Sequence, residues 1–138
     1  MRKIITSIAT ISLILASSGY ANNITNLDVK EVCDVKKHGI LSVLALAKKY
    51  NPIAKKEGLE FKRLGMKNSQ YISSIEKALK TKSNMIVLLD KKGKPTKNKL
   101  TIEYATTRAC KFAISALVQA KEADQTWRLS IPGDGYKY

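Results

Sequence analysis

The chain carries a single histidine, two cysteines and three prolines, and only four of its 25 basic residues are arginine. With one imidazole in the chain, a zinc site of three or four nitrogen, sulfur or carboxylate ligands has little to draw on. The cysteines, Cys33 and Cys110, are far apart, so the Cys-x-x-Cys of redox enzymes is absent. Glycine-rich phosphate loops are missing too, because Gly93 and Gly133-Asp134-Gly135 follow neither nucleotide-binding pattern. Arginine makes the planar forks that read phosphates and bases, whereas lysine is a hydrated point charge. A chain with 21 lysines and four arginines therefore suits diffuse attraction and disfavours specific nucleic-acid binding.

Long apolar runs are also scarce. The longest stretch, Ile4 to Ala16, is interrupted by Thr and Ser and is short for a bilayer span. It follows Met1-Arg2-Lys3 and precedes Ser17-Ser18-Gly19-Tyr20-Ala21, the order of a secretory signal: positive end, apolar core, small-residue cleavage site. Cleavage after Ala21 places Gly19 and Ala21 where the peptidase reads. Residues 1–21 are thus expected to be a signal peptide and residues 22–138 a single globular domain; a retained anchor helix is the alternative. The expected location is periplasmic or secreted, with no transmembrane segment after signal removal.

Removing residues 1–21 takes away Arg2 and Lys3, leaving 23 basic against 11 acidic residues, a net charge of +12 with His38 neutral. Such a balance attracts acidic partners or surfaces. In an oxidising compartment a cysteine pair is usually a disulfide, so Cys33 and Cys110 are expected to be bridged.

Periodicity gives the elements. Asp28 can cap a helix, and Val29, Val32, Cys33, Ile40, Val43, Leu44 and Ala47 share one face, which predicts a helix over 27–50 ended by Asn51-Pro52. Gly39 is its weak point. Leu59 to Leu64, between Gly58 and Gly65, reads as a short strand. Ile72, Ile75 and Leu79 restore helical spacing after a cap at Asn68 or Ser69. Met85–Leu89 reads as a strand, Lys91 to Lys99 as a long hairpin loop, and Leu100–Tyr104 as the returning strand. From Ala105 a stripe of small residues (Ala109, Cys110, Ala113, Ala116, Leu117, Ala120) predicts a helix of about five turns. Because both cysteines lie on apolar stripes, their bridge would clamp the two long helices together. Trp127–Ile131 alternates and reads as a last strand; Pro132 to Gly135 is a turn, and Tyr136 and Tyr138 form an aromatic tail. The fold expected is α+β: two long helices bridged by a disulfide, a shorter helix and a small antiparallel sheet, with all-α as the alternative.

Candidate chemistry is sparse. A Cys33–His38 dyad would need side chains more than one turn apart to converge and the disulfide to be absent. Asp34 and His38 share a helix face, with Asp28 nearby, but these make an incomplete metal site. Glu57 with Glu60, and Glu122 with Asp124, lie among lysines at ordinary surface spacing. No catalytic residue, metal or cofactor is therefore assigned, and no stretch carries a motif specific enough to name a family.

The basic cluster remains. From Lys77 to Lys99 there are eight lysines (77, 80, 82, 91, 92, 94, 97 and 99) and one acid, Asp90. Lys91, Lys92, Lys94, Lys97 and Lys99 are the candidate anion-binding set, able to seat an acidic protein, a glycan or an anionic lipid surface. The competing reading is that the lysines solvate a hairpin edge and keep it from aggregating. No aromatic lies between Tyr71 and Tyr104, so the bases of single-stranded nucleic acid would find no stacking platform there. Trp127, Tyr136 and Tyr138 are the second candidate contact set, as aromatic anchors for a partner. The leading functional expectation is an exported, non-catalytic binding protein of the bacterial envelope or secreted fraction. A small secreted hydrolase or peptidoglycan-active enzyme, and a cationic toxin or host-directed effector, are the alternatives.

Overall fold

The computed structural model describes Ile24 and residues 27–126 except Leu64. In chain order these form α1 (Val29–Val32), α2 (Val35–His38), α3 (Ile40–Lys56), β1 (Lys62–Arg63), β2 (Met66–Lys67), α4 (Asn68–Lys80), β3 (Met85–Leu89), β4 (Pro95–Thr101) and α5 (Ile102–Thr126). The signal segment 1–21, the strand expected at Trp127–Ile131 and the tail with Tyr136 and Tyr138 lie outside the described residues.

The helix expected over 27–50 is three helices on one apolar stripe. Asp28 caps α1, accepting from the N–H groups of Lys30 and Glu31, and Asp34 captures the N–H of Lys36 and starts a new helix instead of continuing the old one. Gly39, at φ +79°, then turns the chain into α3 with a backbone conformation that a side chain would strain. Val35, Val43, Leu44 and Ala47 are nevertheless buried on the expected face. Asn51-Pro52 does not end this helix: α3 runs through Pro52 to Lys56. The proline ring forfeits only one N–H bond, while continuing the helix buries Ala54 fully.

The small-residue stripe forms the centre of the fold. Ala105, Ala109, Cys110 and Ala113 of α5 are buried, as are Val43, Ala47 and Ala54 of α3, and α3 and α5 pair along their length. Cys33 and Cys110 form the disulfide, with Cα atoms 5.6 Å apart. The bridge ties the segment joining α1 and α2 to α5, just upstream of the long helix it was expected to clamp.

Two two-stranded antiparallel sheets complete the α+β fold and replace the all-α alternative. The first is the short hairpin β1–β2 around Gly65, whose φ is +87° and where a Cβ would come within 2.8 Å of Lys91. The second, β3–β4, pairs Met85 with Thr101, Ile86 with Leu100 and Val87 with Lys99, then shifts register before Leu89 meets Pro95. Its connecting turn is therefore short, and Lys97 and Lys99 belong to a strand rather than to a long loop. Thr101 is the last strand residue; Ile102, Glu103 and Tyr104, expected in that strand, are the first turn of α5. Ile102 is buried and donates its N–H to Asn84 O across the base of the hairpin, so one residue closes the sheet and opens the helix.

A buried polar node joins α3, α4 and α5. Asn68, expected as a cap, is buried and donates its amide hydrogens to Asn51 Oδ1 (2.8 Å) and the Ala109 carbonyl (2.9 Å). Capping falls to Glu60, whose carboxylate accepts from the Ser69 N–H (2.8 Å) and from Asn51 Nδ2 (3.2 Å). The Gln70 side chain accepts from the Lys67 N–H and completes the turn.

Candidate functional site

The β3–β4 hairpin is built by two unlike sequences. Met85–Leu89 is apolar and sends Ile86 and Leu88 into the core; Pro95–Thr101 is polar, and only Leu100 and Thr96 are even partly buried. Between them Asp90 organises the turn, its carboxylate accepting from the N–H groups of Lys92 and Lys94, both at 2.8 Å. The one acid of the basic cluster is therefore engaged by backbone. Thr96 donates its hydroxyl to Leu88 O and accepts from the Asn98 N–H, which holds the register shift in place.

All eight lysines of the cluster are exposed: Lys77 and Lys80 on α4, Lys82 just after it, Lys91, Lys92 and Lys94 in the turn, Lys97 and Lys99 on β4. Among the described residues the salt bridges are Lys37 with Glu31 and Lys48 with Glu76, and neither involves the cluster. Five of the eight lie on the one hairpin, and Lys77 of α4 borders the groove that runs along β3. Lys99 lies beside Val87 on the outer face of the sheet, where Met85 and Val87 are about 40 and 36 % exposed. Trp127, Tyr136 and Tyr138 lie outside the described residues, so the second candidate set is not placed relative to the first.

Several carboxylates have structural partners. The Lys48 ammonium donates to Glu76 and holds its carboxyl below the usual carboxylate range. Burial alone would raise Glu60, but hydrogen bonds from Ser69 and Asn51, with the Lys55 charge, outweigh it and hold that group low as well. Asp34 and Glu103 border one open depression of about 240 Å³, and Asp34 is occupied as the α2 cap. The Cys33 sulfur is consumed by the bridge, which leaves no thiolate for a dyad with the exposed His38. Among the described residues no group of three or more His, Cys, Asp or Glu side chains converges as a metal site.

One feature escaped the sequence reading. Tyr104, Arg108 and Phe112 follow one another at helical spacing on α5, and the Arg108 guanidinium sits 5.8 Å from the Tyr104 and Tyr71 rings and 5.1 Å from Phe112. Phe61 stacks on Phe112 at 3.9 Å and, with Leu59, walls a groove of about 520 Å³ along α5. The i, i+4, i+8 spacing is present in the sequence, but it forms a face only because Tyr104 belongs to α5 and not to the strand.

Compared with protein-family models, with curated proteins and with solved structures, the chain matches none.

Proposed function

We propose that this chain is an exported, non-catalytic binding protein that recognises an acidic partner through the lysine-rich β3–β4 hairpin. The observation that carries the reading is the eight exposed lysines around one acid whose carboxylate is already engaged by the turn. The eight lysines outnumber Asp90 and Glu76, the latter within reach of the Lys80 charge, and the net positive patch raises the local concentration of anionic partners and speeds their encounter. A disulfide in a chain in which, among the described residues, no helix is long and apolar enough to cross a membrane is compatible with an exported protein.

The test replaces Lys91, Lys92, Lys94, Lys97 and Lys99 by glutamine and titrates the oxidised protein with polyglutamate. Most of the parent's binding should disappear while the helical circular dichroism and thermal midpoint stay nearly unchanged, since surface substitutions usually shift stability by less than about 0.5 kcal/mol. Parent binding should weaken steeply with added salt, because exposed charges are screened over about 8 Å at physiological ionic strength. Undiminished binding by the five-fold variant would refute the reading.

A further inference from the structure

The hairpin has an edge as well as a charged face. Antiparallel partners alternate between pairs that exchange both backbone bonds and pairs whose N–H and C=O groups point away from each other. The bond from the Ile102 N–H to Asn84 O fixes that alternation: Asn84 and Ile86 face β4, and Met85, Val87 and Leu89 turn their backbone groups outward. Leu88 O, bonded by the Thr96 hydroxyl, and the Asp90 N–H, bonded to Lys94 O, fall on the β4 side as this parity requires. Ser83 closes the first outward position, its hydroxyl donating to Met85 O (2.9 Å) and accepting from the Met85 N–H (3.3 Å). Among the described residues Val87 and Leu89 have no such side-chain cap and no strand pairs with β3 along this edge. Beside it, against α4, runs a groove of about 370 Å³ bordered by Ser74, Lys77, Ala78 and Thr81.

We propose that this edge receives an extended, acidic segment of a partner protein as a third strand of the sheet. The proposal rests on the binding function argued above and names the partner's chemistry. A polypeptide is the ligand class that matches alternating backbone donors and acceptors at strand spacing; a lipid headgroup or a glycan does not reproduce that repeat. In an added strand alternate side chains point to opposite faces. The groove is walled by the half-exposed Met85 and Val87 on the β3 side, which favour aliphatic side chains in one set, and by Lys77 on the α4 side, which favours carboxylates in the other. Charge selects the same occupant: a second copy of this hairpin would bring its own lysines against Lys77, Lys80 and Lys82, whereas an acidic segment neutralises them.

The experiment uses the oxidised protein and a synthetic peptide of alternating valine and glutamate, about as long as an ordinary strand. Val87→Pro removes an outward N–H while leaving the β3–β4 ladder bonded, a position that tolerates proline at a sheet edge. It should weaken peptide binding by at least about tenfold, or about 1.4 kcal/mol, and leave the thermal midpoint and polyglutamate binding close to the parent's. Methylating the peptide's backbone nitrogens on alternate residues, in each of the two parities, tests the same contact without altering the protein: one parity should abolish binding and the other should not. Peptide binding that survives Val87→Pro, equal tolerance of both methylation patterns, or no preference for the peptide over polyglutamate would overturn the proposal. So would concentration-dependent dimerisation abolished by Val87→Pro, which would assign the edge to a second copy. These failures differ from those of the underlying binding function, which is read from lysine variants and polyglutamate rather than from Val87→Pro and the peptide.

Discussion

At the scale of single residues, five of the 11 acids serve as structural partners. Asp28, Asp34 and Asp90 cap helices or a turn, Glu60 caps α4 from outside it, and Glu76 pairs with Lys48. Glu60 offers the clearest test. Its folded pKa is lowered from the ordinary 4.5, so its contribution is present above that value and is lost as the pH falls through the folded pKa. Glu60→Gln should therefore destabilise the protein by roughly 1–2 kcal/mol near neutrality, and the gap to the parent should narrow in acid, below about pH 4. Chemical denaturation of both proteins across that range would measure it; a gap independent of pH would mean that the charge contributes nothing. Asp28 was legible as a cap because it precedes an apolar stripe. Glu60 was not, since it reaches Ser69 across the β1–β2 hairpin and no local pattern reports such a bond.

Elements were legible where side-chain period and burial agree. The small-residue stripe of α5 and the Ile72, Ile75, Leu79 spacing of α4 were both read correctly, because each helix buries one face. Boundaries went astray where a local signal met a tertiary one. Asp34 and Gly39 broke the first helix although its stripe continued, and Pro52 failed to stop α3 because packing around Ala54 outweighs one lost backbone bond. Pro52 is exposed, so Pro52→Ala leaves no cavity and restores the N–H that Lys48 O lacks. Set against the added freedom of the unfolded chain, it should raise stability by about 1–2 kcal/mol; unchanged or lower stability in urea denaturation would show that the proline is accommodated without loss. Lys97 and Lys99 read as loop because β4 has almost no apolar residue to alternate. Its strand character comes from the partner: β3 buries Ile86 and Leu88 and offers the ladder, and a polar segment can follow it with both faces largely wet.

For the whole molecule, the bridge and the charge are the two properties most directly read from composition. Cys33 and Cys110 are fully buried and close a loop of 77 residues, which in the chain-entropy account stabilises the fold by roughly 4 kcal/mol. Replacing both cysteines by alanine should lower the thermal midpoint by several degrees or more, and a midpoint equal to the parent's would show that the bridge adds nothing to packing already secured by α3 and α5. The lysines of the candidate site were legible as a cluster in sequence. That they surround an open sheet edge was not, because the edge is a consequence of pairing parity and of how the hairpin lies against α4. The central claim is that binding resides in the hairpin rather than in the net positive charge, and a matched pair of charge-neutralised proteins tests it. One carries glutamine at Lys91, Lys92, Lys94, Lys97 and Lys99, the other at Lys30, Lys36, Lys49, Lys55 and Lys56, five exposed lysines on α1 to α3, so that both have the same net charge. Titrated with polyglutamate at low salt, the hairpin variant should lose at least about tenfold in affinity and the helix variant should stay close to the parent; equal losses in the two would contradict the account.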